Sequence, residues 1–393
     1  MPSIRIVVPR YGSQIIGGTE GLTRLLADHL MTGGWDVSVW STTASDEATW
    51  RGDLAAREDD SGVSVRRFPV ARHRRPALFH QATRAFFRLP ERVRPETSWV
   101  RAQGPYAPAL VAELRRATST PTLFSPYLYY PTLIGLPVAP RPRLLMPAAH
   151  DERPLRLHLV GRSIRACDAI WYHTSEEQAL LESVHPVAAS KPSAVGTVGV
   201  DAYEPADGAR FRARYGVDGA FLFFAGRSAR GKGFGELLDA YAVLRSRRTD
   251  IQLVIAGDHA ADHATSGVRL VGRLDSSALR DALAAATGAV VPSAMESLSL
   301  MALETWAAGR PALLNGRSPV LREQAARSGG ALLFSSPAQF ADAANALADD
   351  SSLARRLGES GRAFVAANYR WEDVVSRLSS LIAEAAATTH DPA

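Results

Sequence analysis

Two glutamates, eight positions apart, are the side chains of this sequence best suited to hold a ligand. Glu296 and Glu304 lie in the apolar stretch PSAMESLSLMALETWAAGRPAL (residues 292–313), in which no basic residue precedes Arg310. A carboxylate that is buried without a partner is costly, and the hydroxyl groups of a ligand are good partners for it. The alternative is that Glu304 pairs with a distant arginine of the fold.

The spacing of these glutamates favours binding of an elongated ligand over hydrolysis of a glycosidic bond. Eight residues of helix rise by roughly 12 Å. The paired acids of glycoside hydrolases lie only about 5 to 9.5 Å apart. A nucleotide-sugar has the matching outline, because its hexose and its ribose carry hydroxyls and its diphosphate places negative charge between them.

The segment GAVVPS, which precedes the two glutamates, predicts a strand that ends at Ser293. Ligands of parallel α/β domains bind at the carboxyl ends of strands, so AMES is predicted to be a loop at that edge. We expect the next helix to start near Ser297, with Ser297 as its N-cap. The free amides and the dipole of this helix would then favour a phosphate group.

A glycine-rich segment offers the cations that a diphosphate requires. FFAGRSARGKGF (residues 223–234) lies between a predicted strand and a predicted helix and carries Arg227, Arg230 and Lys232. A guanidinium group offers a planar fork to phosphate oxygens, and an ammonium group offers a point charge. The glycine spacing differs from that of the phosphate loop of nucleotide hydrolases. The alternative interpretation is a solvated turn.

Two segments of the N-terminal half also end predicted strands with residues that could bind a ligand. RYGSQIIGGTEGL places Gly17 and Gly18 before a predicted helix, where backbone amides can approach an anion, although the segment lacks the GxGxxG spacing of dinucleotide binders. A tight turn is the alternative. MPAAHDERP places His150 and Asp151 after a strand, where a histidine could donate to a sugar hydroxyl or carry a proton. Most lone histidines are structural.

The order of elements predicts two doubly wound α/β domains. The chain of 393 residues exceeds what one hydrophobic core usually fills. Near-continuous apolar strands alternate with helices, a pattern typical of parallel sheets that are covered on both faces. The segment PSAVGTVGVD (residues 192–201) breaks the alternation and predicts a hinge, so the two domains are expected to face each other across a cleft.

Composition narrows the class of protein. The net charge is +5, and arginines crowd between residues 66 and 101. We interpret them as a solvated face around a cleft for an anionic ligand, since no aromatic-rich nucleic-acid motif accompanies them. The single cysteine, Cys167, excludes an internal disulfide and a CxxC metal motif, and we expect no bound metal ion. Without a leader or a membrane-spanning run, we expect a cytoplasmic protein, with the inner face of the membrane as an alternative location.

In residue type, spacing and order, these motifs resemble those of the retaining glycosyltransferases of family 4, which have the GT-B fold. Glu296-SLSLMAL-Glu304 matches the E-x7-E signature of that family. AGRSARGKG resembles its diphosphate loop, IGGTEGLTRLLADHL its first glycine loop and helix, and TVGVD its interdomain segment. NYRWEDVV resembles the point where a last helix crosses back to the N-terminal domain. The resemblance covers nearly the whole chain.

The resemblance implies a role for each matching residue. Arg227 and Lys232 would bind the donor diphosphate, Glu304 the ribose hydroxyls and Glu296 the transferred sugar. His150 would contact a sugar hydroxyl. Main chain would contact the donor at a further set of positions, which comprises Gly17, Gly18, Arg273, Leu274, Ser297, Leu298, Ser299 and Leu300.

The resemblance also implies the domain plan and the chemistry. Residues 1–197 would form an acceptor-binding Rossmann-like domain, residues 198–370 a nucleotide-sugar-binding one, and residues 371–393 a crossover helix and tail. The diphosphate would leave while it helps to deprotonate the acceptor on the same face of the sugar, so the anomeric configuration is retained. No metal or other cofactor is implied. The asparagine usual in the hinge motif is replaced here by Thr197 or Val198.

The sequence leaves several alternatives open. A nucleotide-sugar epimerase or hydrolase, or a non-catalytic subunit that binds a sugar nucleotide for a partner, would share these motifs. The acceptor could be a saccharide, a lipid-linked saccharide or a natural product, bound by residues 73–79 and 103–106. The helical stretch PALFHQATRAFFRL has an apolar face and is interpreted as a core helix, with a peripheral membrane helix as the alternative. That face comprises Leu78, Phe79, Ala82, Ala85, Phe86 and Leu89.

Overall fold

A computed structural model describes residues 1–15, 17–201, 206–226, 233–258 and 266–390 of the chain. These residues form two compact units. Unit 1 comprises Met1–Val198 and Trp371–Ala393, and unit 2 comprises Gly199–Arg370. Each unit is built around its own sheet.

Within the described ranges, the sheet of unit 1 has eight strands in the order β3-β4-β2-β1-β5-β6-β7-β8. The strands are β1 (Ser3–Val7), β2 (Asp36–Thr42), β3 (Arg57–Asp60), β4 (Val63–Phe68), β5 (Thr122–Phe124), β6 (Arg143–Leu145), β7 (Ala169–Tyr172) and β8 (Ser193–Val195). All neighbours pair in parallel except β3, which is antiparallel to β4 at the edge. The antiparallel β3 departs from the purely parallel sheet that the strand–helix alternation predicts.

Helices of unit 1 follow the strands in the alternation that the sequence predicts. They are α1 (Gly18–Thr32), α2 (Pro76–Phe86), α3 (Glu96–Gln103), α4 (Pro108–Leu114), α5 (His158–Ala166) and α6 (Ser175–Val184). Short 3₁₀ turns occupy Glu91–Val93, Leu136–Val138, Arg153–Arg156 and Pro186–Ser190, and a π turn occupies Pro131–Gly135. The residues of β7 are buried throughout, as expected for a strand covered on both faces.

The segment that was predicted to be only a hinge contains a strand. Residues of β8 pair with β7, with Ile170 opposite Ser193 and Tyr172 opposite Val195. Its three residues are too few to show a periodic pattern, and their burial is only partial because the strand lies at the edge of the sheet. The alternation of strands and helices therefore continues up to Val195.

The sheet of unit 2 has six parallel strands among the described residues, in the order β11-β10-β9-β12-β13-β14. They are β9 (Ala220–Ala225), β10 (Ile251–Ala256), β11 (Val268–Gly272), β12 (Gly288–Val291), β13 (Ala312–Asn315) and β14 (Ala331–Phe334). The helices are α7 (Gly208–Tyr215), α8 (Phe234–Arg247), α9 (Ser276–Ala285), α10 (Leu300–Ala307), α11 (Pro319–Ser328), α12 (Pro337–Asp349) and α13 (Ser351–Asn368).

Alternate side chains of β9 enter two separate cores. Leu222 and Phe224 belong to the core that α8 and α12 complete. Phe221 and Phe223 belong to the core that α7 and α9 complete. Apolar residues on both sides of a strand require cover on both faces of the sheet, which explains why FLFF reads as a continuous apolar run.

The strand order of unit 2 creates a crevice at the carboxyl ends of β9 and β12. These strands are neighbours, yet the chain proceeds from β9 toward one edge of the sheet and from β12 toward the other. Loops that leave adjacent strands in opposite directions diverge and leave a crevice between them. Ligands of open α/β sheets bind in such a crevice. The two predicted ligand segments, residues 223–234 and residues 292–313, lead the chain away from the ends of β9 and β12.

The last helix, α14 (Trp371–His390), belongs to unit 1 although the whole of unit 2 precedes it in the chain. The ring of Trp371 stacks on that of His29 in α1, with 4.1 Å between their centroids. The Arg377 side chain donates to the Gly196 carbonyl at 2.9 Å, just after β8. These contacts confirm the predicted crossover helix.

The apolar face predicted for residues 76–89 is not a core face. Phe86 is buried and stacks on Trp99 of α3, but 58% of Leu78 and 41% of Leu89 is exposed. The helix ends at Phe86, and its aromatic residues pack against α3 while the rest of the face meets solvent. The core-helix interpretation is therefore wrong for most of this face. In the described part of the chain, no helix is long and apolar enough to cross a membrane.

Candidate functional site

Gly233 joins the two predicted ligand segments of unit 2. It has a φ of 69°, and a Cβ at this position would clash with the Pro292 carbonyl. Only glycine combines this left-handed conformation with so close an approach of two backbones. Gly233, directly before α8, therefore lies against the start of the segment that carries Glu296. Arg227, Arg230 and Lys232 lie outside the described residues.

Hydrogen bonds hold the segment between β12 and α10. The Asn315 side chain, which is buried at the end of β13, donates to the Pro292 carbonyl at 2.7 Å. The Ser293 hydroxyl donates to the Met295 carbonyl at 2.9 Å. Asn315 was not predicted, since a single asparagine after a strand carries no distinctive sequence signal. Its contact ties the neighbouring strands together at the carboxyl edge of the sheet.

Ser299, and not Ser297, caps the helix that carries Glu304. The helix begins at Leu300, and the Ser299 hydroxyl accepts from the Ala302 amide at 3.2 Å. Ser297 is buried in the preceding loop. The predicted cap and helix start are therefore wrong by two residues, and the roughly 12 Å helical rise does not describe the path from Glu296 to Glu304. Leu298 and Ser299 are also buried, so packing holds the backbone that is proposed to contact the donor.

Helix α10 is buried because small residues of α13 let it approach closely. Trp306 is fully buried and its indole nitrogen donates to the Gly330 carbonyl at 2.8 Å. A Cβ on Gly361 would clash with the Trp306 ring, and a Cβ on Gly358 would clash with the Gly309 carbonyl. This packing explains the apolar sequence around Glu304 and anchors the helix behind the site.

Glu304 is a half-buried carboxylate with no hydrogen bond and no ion pair to any described residue. Burial raises the pKa of Glu304 to about 7, and the positive charge of Arg280 opposes that rise. The arginine partner offered as the alternative is therefore not found in the described part of the chain, because Arg280 forms no ion pair with Glu304. Glu296 is also half-buried. The arrangement leaves Glu304 able to accept hydrogen bonds from a ligand.

Residues directly after β10 and β11 bond to each other at the carboxyl edge of the sheet. The Gly257 amide donates to the Gly272 carbonyl at 2.8 Å, and the Arg273 guanidinium pairs with the Asp258 carboxylate. This ion pair raises the pKa of Arg273 and lies at an exposed position. Arg273 and Leu274 thus follow the third strand from the crevice, where the resemblance implies contacts with the base.

In unit 1, helix α1 begins at Gly18 with Gly17 as its N-cap, as the paired glycines predict. The Glu20 carboxylate folds back over Gly17, where a Cβ would clash with it, and pairs with the Arg10 guanidinium at 2.6 Å. Arg10 also pairs with Glu47 at 3.1 Å. These charged residues were not predicted, although an acid three positions after an N-cap is a recognised capping signal. A carboxylate thus already lies near the predicted anion position.

His150 lies at the carboxyl edge of unit 1, in the loop that follows β6. Ala148 in this loop has a φ of 51°, a conformation that non-glycine residues adopt only when their surroundings enforce it. Glu177 of α6 accepts from the Ala149 amide at 2.5 Å and from the His173 amide at 2.6 Å. Glu177 was not predicted either, because one of its partners, Ala149, lies 28 positions away in another loop.

The two segments proposed for acceptor contacts lie together in unit 1. The Arg74 guanidinium donates to the Gln103 carbonyl at 3.2 Å and to the Ala48 carbonyl at 2.7 Å. The Ala71 amide donates to the Tyr106 carbonyl at 2.8 Å. These bonds join loops that follow β2 and β4 to the segment before α4, at the carboxyl edge of the sheet. Among the described residues, no three His, Cys, Asp or Glu side chains are placed to hold a metal ion.

Comparison with known families agrees with this architecture. Residues 17–196 match the family model of the glycosyl transferase 4-like domain, and residues 219–350 match that of glycosyl transferases group 1. The chain is 33% identical over 243 residues to D-inositol 3-phosphate glycosyltransferase 1 of Catenulispora acidiphila, a match that spans 55% of this chain and 57% of that protein. The chain thus spans little more than half the length of this relative.

Two further comparisons cover nearly the whole chain. The D-inositol 3-phosphate glycosyltransferase of an Arthrobacter species is 28% identical over 403 residues, which span 92% of this chain and 88% of that protein. The structure of Anabaena HepE in complex with UDP-glucose superposes with a TM-score of 0.72 at 13% identity, over 97% of this chain and 99% of that one. Two Rossmann-like units with a crossover helix and these matches show that the chain belongs to the family 4 glycosyltransferases and has the GT-B fold.

Proposed function

We propose that the protein is a retaining glycosyltransferase that transfers a sugar from a nucleotide-diphosphate sugar to a hydroxyl group of an acceptor. The observation that carries this proposal is Glu304. It is a half-buried carboxylate without an ion pair in the described part of the chain, one turn into the helix that follows β12. Such a group accepts hydrogen bonds from vicinal hydroxyls, and the ribose of a nucleotide offers two of them.

In this proposal, each part of the nucleotide-sugar is bound by particular residues. Glu304 holds the ribose hydroxyls, and Glu296 holds the transferred sugar together with the backbone of residues 297–300. Arg227 and Lys232 neutralise the diphosphate, so no metal ion is needed for that purpose. Arg273 and Leu274 contact the base through their main chain. Gly17, Gly18 and His150 approach the sugar and its phosphate from unit 1.

In the proposed reaction, the bond from the anomeric carbon to the diphosphate oxygen breaks and a bond to the acceptor oxygen forms on the same face. The acceptor proton passes to an oxygen of the leaving diphosphate. Arg227 and Lys232 stabilise the charge that develops on that leaving group. Because attack and departure share one face of the sugar, the anomeric configuration is retained.

The relatives support a nucleotide-sugar donor. Several are D-inositol 3-phosphate glycosyltransferases, and Anabaena HepE was crystallised with UDP-glucose. A saccharide, a lipid-linked saccharide and a natural product are the acceptor classes that we propose. The segments at residues 73–79 and 103–106, joined through Arg74, are proposed to contact the acceptor.

The experiment that tests this proposal begins with a thermal-shift screen of nucleotide-sugars, because a donor can be identified without an acceptor. The donor found is then tested for transfer with a panel of acceptors. Lys232→Ala should abolish transfer and weaken donor binding while the melting temperature of the unliganded protein stays unchanged. Lys191→Ala is the matched control, since Lys191 is the only other lysine of the chain and donates to backbone carbonyls away from the site.

Three outcomes would contradict the proposal. Unchanged turnover of Lys232→Ala would show that the diphosphate is held elsewhere. Conversion of the donor at equal rates with and without acceptor would identify an epimerase or a hydrolase. Binding of a nucleotide-sugar without any turnover would identify a non-catalytic subunit.

We also propose that unit 1 contacts anionic membrane surfaces through a basic apolar surface formed by α2 and the residues after it. Leu78, Leu89 and Val93 of this surface are exposed to 58%, 41% and 64%. Arg84 and Arg88 are exposed among them. Exposed aliphatic residues that insert between headgroups and arginines that pair with lipid phosphates are the features of an interfacial helix.

Liposome co-sedimentation tests this surface. The protein should sediment with vesicles that contain phosphatidylglycerol, and less so with pure phosphatidylcholine vesicles or at high salt. Leu78→Glu should abolish sedimentation. Leu333→Glu is the control, because Leu333 is a comparably exposed leucine of unit 2, at 42%. Equal sedimentation of the two variants would overturn the membrane proposal and leave the transferase proposal untouched.

A further inference from the structure

Glu177 is a buried carboxylate that the proposed donor site does not use. Only 1% of the residue is exposed, and both of its side-chain oxygens accept hydrogen bonds from backbone amides. One oxygen accepts from Ala149 at 2.5 Å and the other from His173 at 2.6 Å. The two amides belong to different loops, which follow β6 and β7 at the carboxyl edge of unit 1.

This bonding differs from an ordinary helix cap. Glu177 is the third residue of α6, whose N-cap Thr174 accepts from the Glu177 amide at 3.2 Å. In a capping box, the acid at this position reaches back to the amide of the N-cap residue itself. Glu177 instead reaches one residue further back, to His173, and across to Ala149. Helix capping alone therefore does not explain the position of its carboxylate.

The contacts of Glu177 continue through His173 to Thr197, near the end of the first chain segment of unit 1. The His173 ring is buried and its Nδ1 contacts the Thr197 hydroxyl. Burial lowers the pKa of His173 to about 3, so the ring is neutral, and the nearby His150 lowers that pKa further. Gly196, beside Thr197, receives a hydrogen bond from Arg377 of α14. A continuous polar connection therefore joins the His150 loop to residues 196–197.

We propose that Glu177 is a positioning residue of the transfer reaction, which fixes the backbone of the His150 loop and couples it through His173 to the segment at Gly196 and Thr197. The inference rests on the proposed role of His150 in contacting the donor sugar. Ala148, with its left-handed backbone, shows that this loop is held in a conformation that it would not adopt alone. The two oxygens of the Glu177 side chain supply the acceptors that keep the loop there.

The proposal predicts a specific effect of Glu177→Gln. Glutamine keeps one acceptor oxygen and replaces the other by an amide that donates, so one of the two backbone amides loses its acceptor. Turnover should fall by about tenfold or more, whereas the affinity for the nucleoside diphosphate, which lacks the sugar, should stay within about twofold. Glu177→Asp is the second variant, since its shorter side chain also cannot reach both amides. Glu176→Gln is the control on the same helix.

A double-mutant cycle separates positioning from general destabilisation. If Glu177 acts through His150, Glu177→Gln should change turnover by less than about threefold in a His150→Ala background. Losses that multiply in the double variant would overturn the proposal. So would equal losses of sugar-nucleotide and nucleoside-diphosphate affinity, which would indicate damage to the fold.

One measurement does not depend on activity. Hydrogen exchange, followed by mass spectrometry, should become faster in Glu177→Gln for peptides that contain residues 146–152 and 171–174, and stay unchanged in Glu176→Gln. Unchanged exchange in Glu177→Gln would contradict the proposed fixation of the loop. If the wild-type protein transfers no sugar but exchange responds as expected, the proposed function fails while the structural part of this inference stands.

Discussion

Binding of the donor should depend on pH through Glu304. Burial raises the pKa of this carboxyl to about 7 in the unliganded protein. Ribose hydroxyls donate hydrogen bonds, and the ionised carboxylate accepts them better than the protonated acid does. The donor should therefore bind the ionised form, and its affinity should increase as pH rises through 7.

The size of the effect follows from the pKa. Roughly one tenth of Glu304 is ionised at pH 6 and roughly nine tenths at pH 8, so the dissociation constant should be about tenfold larger at the lower pH. This ratio corresponds to about 1.4 kcal/mol. Near pH 7, binding should release about half a proton per ligand, because the bound form is fully ionised. Glu304→Gln should show neither effect, and at pH 8 it should bind the donor about 10- to 100-fold more weakly.

Isothermal titration calorimetry measures both quantities. The ligand should be the nucleotide-sugar itself, because its diphosphate has no terminal phosphate that titrates near pH 7. Titrations in two buffers of different ionisation enthalpy give the number of protons released. Glu359→Gln is the control, since Glu359 is an exposed glutamate of α13 in the same unit. A wild-type dissociation constant that is equal at pH 6 and pH 8, or a pH dependence that Glu304→Gln retains, would refute the ribose role of Glu304.

Three further predictions concern stability. Gly361→Ala should lower the free energy of unfolding by about 1 to 3 kcal/mol, because the added Cβ would clash with Trp306. Gly235→Ala should raise the free energy of unfolding by about 0.5 to 1 kcal/mol, because Gly235 lies in α8 and has open space around it. Urea denaturation measures both changes, and changes of the same sign would contradict the packing of Gly361 against Trp306. Gly233→Ala should destabilise the protein more than Gly272→Ala and should also weaken donor binding. Both glycines have a φ of 69°, but only Gly233 lies against Pro292. Equal unfolding midpoints of the two variants would disprove the contact between the two ligand segments. Burial raises the pKa of Glu177 to about 8, so the folded protein binds more protons than the unfolded chain between about pH 4.5 and 8, and the free energy of unfolding should fall as pH rises through this window. Glu177→Gln should flatten that fall in denaturant titrations at pH 5 to 8, and an unchanged slope would show that this carboxyl does not titrate there.

The local sequence predicted the strands of unit 2 well because their burial is encoded residue by residue. FLFFAG, IQLVIAG and GAVVPS are apolar on both faces, and β9, β10 and β12 occupy these segments. Since such strands belong to parallel sheets with loops at their carboxyl ends, the neighbourhood of Glu296 and Glu304 was predictable as well. Gly17 and Gly18 were likewise correctly placed at the start of α1.

Predictions failed where several residues of one type compete or where partners are distant in the chain. Ser293, Ser297 and Ser299 are all chemically able to cap a helix, and packing around α10 selects Ser299. The apolar face of residues 76–89 has the spacing of a core helix, but the periodicity cannot tell whether anything covers it. Leu78 shows that here nothing in the described part of the chain does so fully.

By itself, the sequence determined the class of domain, the segments at the carboxyl ends of the strands and the residue types that a nucleotide-sugar requires, because these depend on contacts within a few positions of each other. The tertiary structure alone decided which groups converge. Glu177 meets Ala149 across 28 positions, Asn315 meets Pro292 across 23, and Gly233 lies against the segment that leads to Glu296. Such meetings depend on the order of strands in each sheet, and that order follows from the packing of the whole unit.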